Sequence, residues 1–298
     1  MKQQTRGSLM LLLCAMVWGA AFVAQSEGMN YVGPFTMQAT RYFLSGLVLL
    51  PVIALRDKKG VSARPAGNAA KHQLLCGVIC GAILCTASII QQFGILHTTV
   101  GKSGFITTMY IILVPFLGLF VKLRVKLMNW VCALIALAGL YLLCAGSEGL
   151  SGVNYGDWLT LLCAVFFACH ILFIDRACHD LDGVRLSCVQ FFTASAISAV
   201  FMLLLEKPSW AAISSAWLPI VYAGVFSGGV GYTLQILGQQ LVQPTLASMI
   251  LSLESCFATL FGWILLHQAL STRELLGCCV IFAAIIIAQL PSKTKAAA

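Results

Sequence analysis

Two charged residues stand inside stretches that are otherwise apolar, and both types can handle a polar solute there. Arg41 lies in "QATRYFLSG" (38–46), within a run that is apolar from Pro34 to Leu55. Glu254 lies in "ILSLESCF" (250–257). A guanidinium can grip a carboxylate, a carboxylate can hold an ammonium or a proton, and a site with both suits a zwitterion. "SIIQQFGILH" (88–97) adds Gln91 and Gln92. These two are consecutive on a helix, so one is expected to line a cavity and the other to bond a neighbouring helix. Trp18 and Tyr110 are aromatic residues deep in their spans that could stack on a planar or cationic solute.

Each of these residues also has a structural use. Arg41, which in its functional role could grip a carboxylate or pair with Glu254, could instead tie backbone carbonyls. Glu254 could fix helix packing, and Trp18 and Tyr110 could fill the core. Lys102 can reach the interface by extending its stem, and His97 and His170 read as interfacial or packing groups. There is no nucleophilic elbow, no HExxH and no P-loop, and "SGGVG" (227–231) lacks the strand and lysine of a phosphate loop. The chain therefore reads as no enzyme, with no cofactor, and any energy it uses comes from a gradient.

The elements that must position these residues are membrane helices. Of 298 residues, 60% are hydrophobic and only 9% are charged, against about 25% charged in a soluble domain. No soluble fold hides that much apolar surface behind so few charges. Runs of this length and continuity also exclude a transmembrane β-barrel, whose strands alternate. The net charge of +8 does not point to nucleic acid, because the basic residues sit in short loops between apolar runs. Most of the 13 cysteines fall inside those runs without C-x-x-C or Cys/His metal spacing, and read as small packing residues. The first 25 residues have the shape of a signal peptide, but the many equally apolar spans behind them favour an uncleaved first helix.

Ten spans are expected, at 8–26, 34–55, 73–96, 99–121, 127–146, 156–175, 186–205, 216–238, 245–266 and 274–291. With the N-terminus in the cytoplasm, fourteen of the 18 Lys and Arg residues face inward, three (Lys102, Lys207, Arg273) face outward, and Arg41 is the eighteenth. That bias places both termini in the cytoplasm. At ~1.5 Å rise per residue, Glu254 lies about 14 Å into its span and Arg41 about 10 Å into its own. A charge at mid-bilayer costs at least ~2.5 kcal/mol, so both should face a bundle interior or a wet cavity.

The chain also repeats itself. "LLCAMVWGAAF" (12–22) matches "LLCAVFFACHI" (161–171), and "FTMQATRYFLSG" (35–46) lies over "VRLSCVQFFTAS" (184–195) at the same offset. "VPFLGLF" (114–120) resembles "SCFATLF" (255–261). Five helices per half is an odd number, so the second half enters the membrane with opposite polarity. Inverted halves are the architecture of secondary transporters. Glycine pairs such as Gly77–Gly81 and Gly224–Gly228 allow close helix approach, and the glycine-rich eighth span is a candidate moving element.

With "MLLLCAMVWGAAFVAQ", "RYFLSGLVLLP", "GFITTMYIILVPFLGLF" and "LASMILSLESCFATLFGWILL", the chain resembles the EamA family of the drug/metabolite transporter superfamily over about residues 8–290. The resemblance implies two EamA-like five-helix repeats, 8–146 and 156–291. It implies a central cavity lined mainly by spans one, three, four, six, eight and nine, and a role for Glu254, the glutamate of "SLE". The chain departs from the family at Ser255–Cys256, where a proline is common. It departs again at "VKLRV" (121–125) and "LHQAL" (266–270), which lack the family's glutamates.

The expected protein is thus an all-α integral membrane protein of ten transmembrane helices in two inverted five-helix repeats. It is expected in the cytoplasmic membrane, exporting or exchanging a small polar metabolite, with amino acids and related compounds first. The polar centre is Arg41, Glu254, Gln91, Gln92, Tyr110 and Trp18. The partners are that solute, the lipid bilayer and protons as a coupling ion, with a homodimer as a candidate assembly and no nucleic acid. A passive facilitator for small solutes is the alternative. A green fluorescent protein fused after Ala298 should fluoresce, and alkaline phosphatase at the same point should stay inactive; the reverse pattern would overturn the orientation.

Overall fold

The computed structural model describes residues 2–60, 65–98, 100–123, 125–144, 154–266 and 271–289, and those residues form helices and short turns. The helices in chain order are α1 (Lys2–Gly28), α2 (Pro34–Lys58), α3 (Gly67–His97), α4 (Val100–Thr107), α5 (Tyr110–Phe120), α6 (Leu127–Cys144), α7 (Tyr155–Ala177) and α8 (Gly183–Leu205). They are followed by α9 (Trp210–Ser215), α10 (Trp217–Val221), a π-helical segment (Tyr222–Tyr232), α11 (Thr233–Gln239), α12 (Pro244–Leu251), α13 (Leu253–Leu266) and α14 (Thr272–Gln289).

Eight helical spans among the described residues are long and apolar enough to cross a membrane. They coincide with expected spans one to four and six to nine. Spans five and ten appear as shorter apolar helices, Leu127–Leu142 and Leu275–Ala288. Four expected spans differ in detail. The third begins at Gly67 rather than at 73. The fourth is interrupted between Thr107 and Tyr110, and the ninth at Ser252. The eighth passes through eleven residues of π-helix containing "SGGVG". Residues with no side chain or a small one tolerate the wider turn, and such segments gather at functional sites.

The interruptions have local causes. The Thr108 hydroxyl donates to the Phe105 carbonyl at 2.8 Å, and that of Ser252 donates to the Met249 carbonyl at 2.7 Å. Hydroxyls bonded back in this way compete with the helix ladder. Pro115 inside α5 removes one further ladder donor. Broken helices at membrane depth persist only where protein or a cavity supplies partners.

α2 packs along α8, α6 along α14, and α3 on both α7 and α8. α1 packs on α13 and on α10, the π segment and α11, while α7 packs on α4 and α5. Polar ties close both ends of the α2–α8 pair. At one end Glu206 accepts from the backbone N–H groups of Phe35 (2.9 Å) and Thr36 (2.8 Å) and from the Thr36 hydroxyl (2.6 Å). A carboxylate is well placed there, at the positive end of α2, whose first residue is Pro34. At the other end Asp182 caps α8 through Val184 and Arg185, and Arg56 reaches Asp182 at 3.3 Å. Arg185 pairs with Asp57.

Gly77 lies where α3 meets α8: a Cβ there would come within 2.5 Å of Val189 Cγ1, whereas one at Gly104 would meet nothing within 4 Å. Gly77→Leu should lower stability by about 1–3 kcal/mol through overpacking, read as an earlier thermal transition in detergent, while Gly104→Ala should leave it unchanged or raised. Equal transitions for the two variants would show that close α3–α8 approach is not required.

Candidate functional site

Arg41 is held by neutral oxygens. Its Nε donates to Gln38 Oε1 at 2.8 Å, one Nη to Gln25 Oε1 at 2.5 Å, and the other to the Tyr42 hydroxyl at 2.9 Å. Each amide is turned the right way by its own anchor. Gln25 Nε2 donates to the Ala21 carbonyl and Gln38 Nε2 to the Ser88 carbonyl, so both Oε1 atoms point at the guanidinium. The Tyr42 hydroxyl also meets Ser88 Oγ at 2.5 Å. Arg41 thereby joins α1, α2 and α3. A guanidinium carries five N–H donors, and these bonds engage three of them. Arg41 is 2% exposed, and among the described residues no carboxylate pairs with it.

Glu254, 4% exposed, sits two residues past the interruption of the ninth span. It accepts a hydrogen bond from the Tyr110 hydroxyl at 2.9 Å, and Tyr110 sits just past the interruption of the fourth. This bond thus ties the two broken spans to each other, which also pack together as α12 on α5 and α13 on α4. Gln91 Nε2 donates to Thr107 Oγ1 at 3.2 Å. Trp18 Nε1 donates to the Ser227 carbonyl in the π segment at 3.2 Å, and its ring lies 4.5 Å from that of Tyr232.

These groups surround one cavity. Trp18, Ala21, Phe22 and Gln25 of α1 line it, with Arg41, Gln91, Thr107, Tyr110, Phe167, Ile171, Ser227, Tyr232, Gln235, Leu251 and Glu254. The empty space among them is about 470 Å³, counting the part that opens to solvent. Its chemistry is divided: a guanidinium with free donors on the α1–α2 wall, a carboxylate on the α13 wall, and aromatic rings between.

Five of the six expected site residues, Trp18, Arg41, Gln91, Tyr110 and Glu254, come together on this wall. Gln92 does not. It is fully buried away from the cavity, and neither polar atom of its amide has a partner among the described residues. Arg41 and Glu254 form no ion pair with each other, and Arg41 bonds side chains rather than backbone carbonyls. His170 is fully buried, its Nε2 3.1 Å from Gln190 Oε1. His97 is exposed, with its ring 5.8 Å from that of Tyr155, and Trp158 is exposed as a belt residue would be. The side chain of Lys102 lies outside the described residues, as do residues 267–270 of "LHQAL".

Sequence reasoning missed Gln25, Tyr232 and Ser227. Gln25 carried a usable signal, as a polar residue late in an apolar span and one loop away from Arg41. Phe22, Phe167 and Ile171 carried none, since apolar residues line cavities and cores alike.

Among the described residues no group of three or more His, Cys, Asp or Glu side chains is arranged to hold a metal ion. The family profile described as the EamA-like transporter family matches residues 5–145 and again 154–289. The chain belongs to the EamA-like transporter family. It is a multi-pass membrane transporter and not an enzyme. An uncharacterized transporter of Archaeoglobus fulgidus is 29% identical over 94% of this chain and 84% of its own. The inner membrane transporter YedA of Escherichia coli K12 is 25% identical over 92% and 88%. A solved crystal structure shares the fold, with a TM-score of 0.78, 19% identity, and 95% of this chain and 96% of that one covered.

In this EamA-like transporter the Tyr110–Glu254 bond can be removed without changing shape. Tyr110→Phe should cost about 1–3 kcal/mol, because a buried acceptor loses its donor, and should appear as an earlier thermal transition. An unchanged transition would show that Glu254 is held by other groups.

Proposed function

We propose that the protein is a secondary transporter of the cytoplasmic membrane. It exports or exchanges a small polar metabolite, amino acids and related compounds first, by alternating access between inverted five-helix halves, 8–146 and 156–291. The observation that carries this reading is the cavity itself. It places a buried guanidinium on the continuous α2 and, beside the interruptions of the fourth and ninth spans, a buried carboxylate held by Tyr110. Interrupted spans facing one cavity are a recurrent way for transporters to expose polar groups at mid-membrane.

The arrangement of the halves supports it. Ten of the lining residues fall into pairs at constant sequence offsets: Trp18 with Phe167 and Phe22 with Ile171, then Gln91 with Gln235, Thr107 with Leu251, and Tyr110 with Glu254. The packing follows the same exchange. α2 with α8 and α6 with α14 are self-paired, while α3 on α7 corresponds to α1 on the eighth span. The polar ties correspond too, since Glu206 to Thr36 and Asp57 to Arg185 stand at one common offset. Two near-equal halves exchange conformations at little cost in energy, which alternating access requires. The ten-span count follows if α6 and α14 also cross. Both termini then lie in the cytoplasm by the distribution of Lys and Arg. Placement in the cytoplasmic membrane also draws on YedA, which is named an inner membrane transporter. Protons suit the site as coupling ion because, among the described residues, Glu254 is the acidic one that lines it.

A zwitterion fits because its carboxylate can take the free donors of Arg41 and its ammonium can take Glu254. Arg41→Gln and Glu254→Gln should each cut counterflow of labelled amino acids in proteoliposomes roughly tenfold, the loss of about one charge-assisted hydrogen bond. Wild-type counterflow unaffected by either change would overturn the polar centre. Flux without saturation or counterflow would establish the passive facilitator instead.

A further inference from the structure

Behind the cavity wall, towards the α7–α8 turn, lies a second group of buried polar side chains, of which Gln235 alone also lines the cavity described above. His170 and Gln190 are fully buried, and Gln235 and Gln239 are each 2% exposed. His170 Nε2 and Gln190 Oε1 are 3.1 Å apart, but His170 Nδ1 and Gln190 Nε2 have no partner among the described residues. The Oε1 atoms of Gln235 and Gln239 are likewise unpartnered. Gln239 Nε2 reaches the Ile171 carbonyl only at 3.5 Å. Leaving one such atom unpaired in a dry interior costs about 1–3 kcal/mol, so four in one region are not explained by packing.

The group adjoins the cavity. Gln235 and Ile171 line it, Gln239 follows Gln235 by one helical turn, and His170 precedes Ile171. Tyr232, also on the wall, has its ring 6.3 Å from the His170 ring. The chemistry is neutral. If His170 donates through Nε2, its Nδ1 is a bare acceptor and Gln190 Nε2 a bare donor. If the amide is turned over, Nδ1–H becomes the donor and the amide oxygen the acceptor. In both cases the pair offers one donor and one acceptor, and the two further glutamines each offer an amide. Such a set matches an amide or hydroxyl better than a carboxylate or ammonium, which find charged partners at Arg41 and Glu254.

The geometry points to a polar subsite between α7, α8 and α11, made by His170, Gln190 and Gln239 with Gln235 at its mouth, that receives the uncharged hydrogen-bonding end of the carried solute. It deepens the transport reading and rests on it: the head group sits between Arg41 and Glu254, and the subsite selects the other end.

Two measurements test it. Radiolytic hydroxyl footprinting of the purified protein needs no substrate. His170 should be oxidised at a rate comparable to the cavity residue Tyr110, while Met37 and Met249, both fully buried and intrinsically reactive, stay unmodified. A His170 as unreactive as those methionines overturns the subsite. Proteoliposome counterflow with labelled glutamine and labelled leucine then reads selectivity. Gln190→Leu, or Gln239→Leu if the first does not fold, should raise the half-saturating glutamine concentration roughly tenfold, the worth of one well-made buried hydrogen bond, and leave leucine unchanged. Gln190→Asn should recover part of the loss. Equal losses for both amino acids, or none, overturn the proposal. A wild type that carries neither amino acid overturns the amino-acid reading, and the footprint then decides the subsite alone.

Discussion

The constraint on which the rest depends is a positive charge that cannot leave. Arg41 is buried at the junction of α1, α2 and α3, where among the described residues no carboxylate pairs with it. An uncompensated charge in such a place is costly, and the fold answers with dipoles. Gln25, Gln38 and Tyr42 direct oxygens at the guanidinium, and each is in turn fixed by a backbone carbonyl or by Ser88. This ring of neutral acceptors holds the cation in place without consuming its charge. An internal ion pair with Glu254 would have cancelled both charges, and none forms among the described residues.

Glu254 follows the same logic from the other wall. One phenolic hydroxyl, from Tyr110, orients it, and that bond also joins the two interrupted spans. A continuous helix satisfies its own backbone and offers the cavity only side chains. An interrupted one turns backbone and side chain towards the same space, and hydroxyls at Thr108 and Ser252 take over part of the lost bonding. The small residues of the π segment let α2 approach closely: Ser45 Oγ donates to the Gly224 carbonyl at 2.7 Å. The Trp18 indole donates to the Ser227 carbonyl of the same segment, so the aromatic wall of the cavity is tied to that packing.

The ends of the α2–α8 pair behave differently from its middle. Glu206 on Thr36 at one end and Asp57 on Arg185 at the other are both made in this structure. These ties secure a scaffold from both sides, and Arg41 of α2 lines the cavity from it.

The class and the helices were legible in the sequence because they depend on quantities that sum along the chain. Apolar content, run length and the distribution of Lys and Arg do not depend on neighbours far away. Arg41 and Glu254 stood out for the same reason, since a charge inside an apolar run is anomalous wherever the run packs. What the sequence could not determine depends on which side chains meet. Gln91 faces the cavity while Gln92 does not. Arg41 rests on two glutamines rather than on Glu254. Phe22, Phe167 and Ile171 line a cavity as well as being buried. Each of these turns on helix rotation and on breaks of a single turn. Such features are settled by close packing between helices far apart in the chain, where a shift of one residue swaps a wall for an interior.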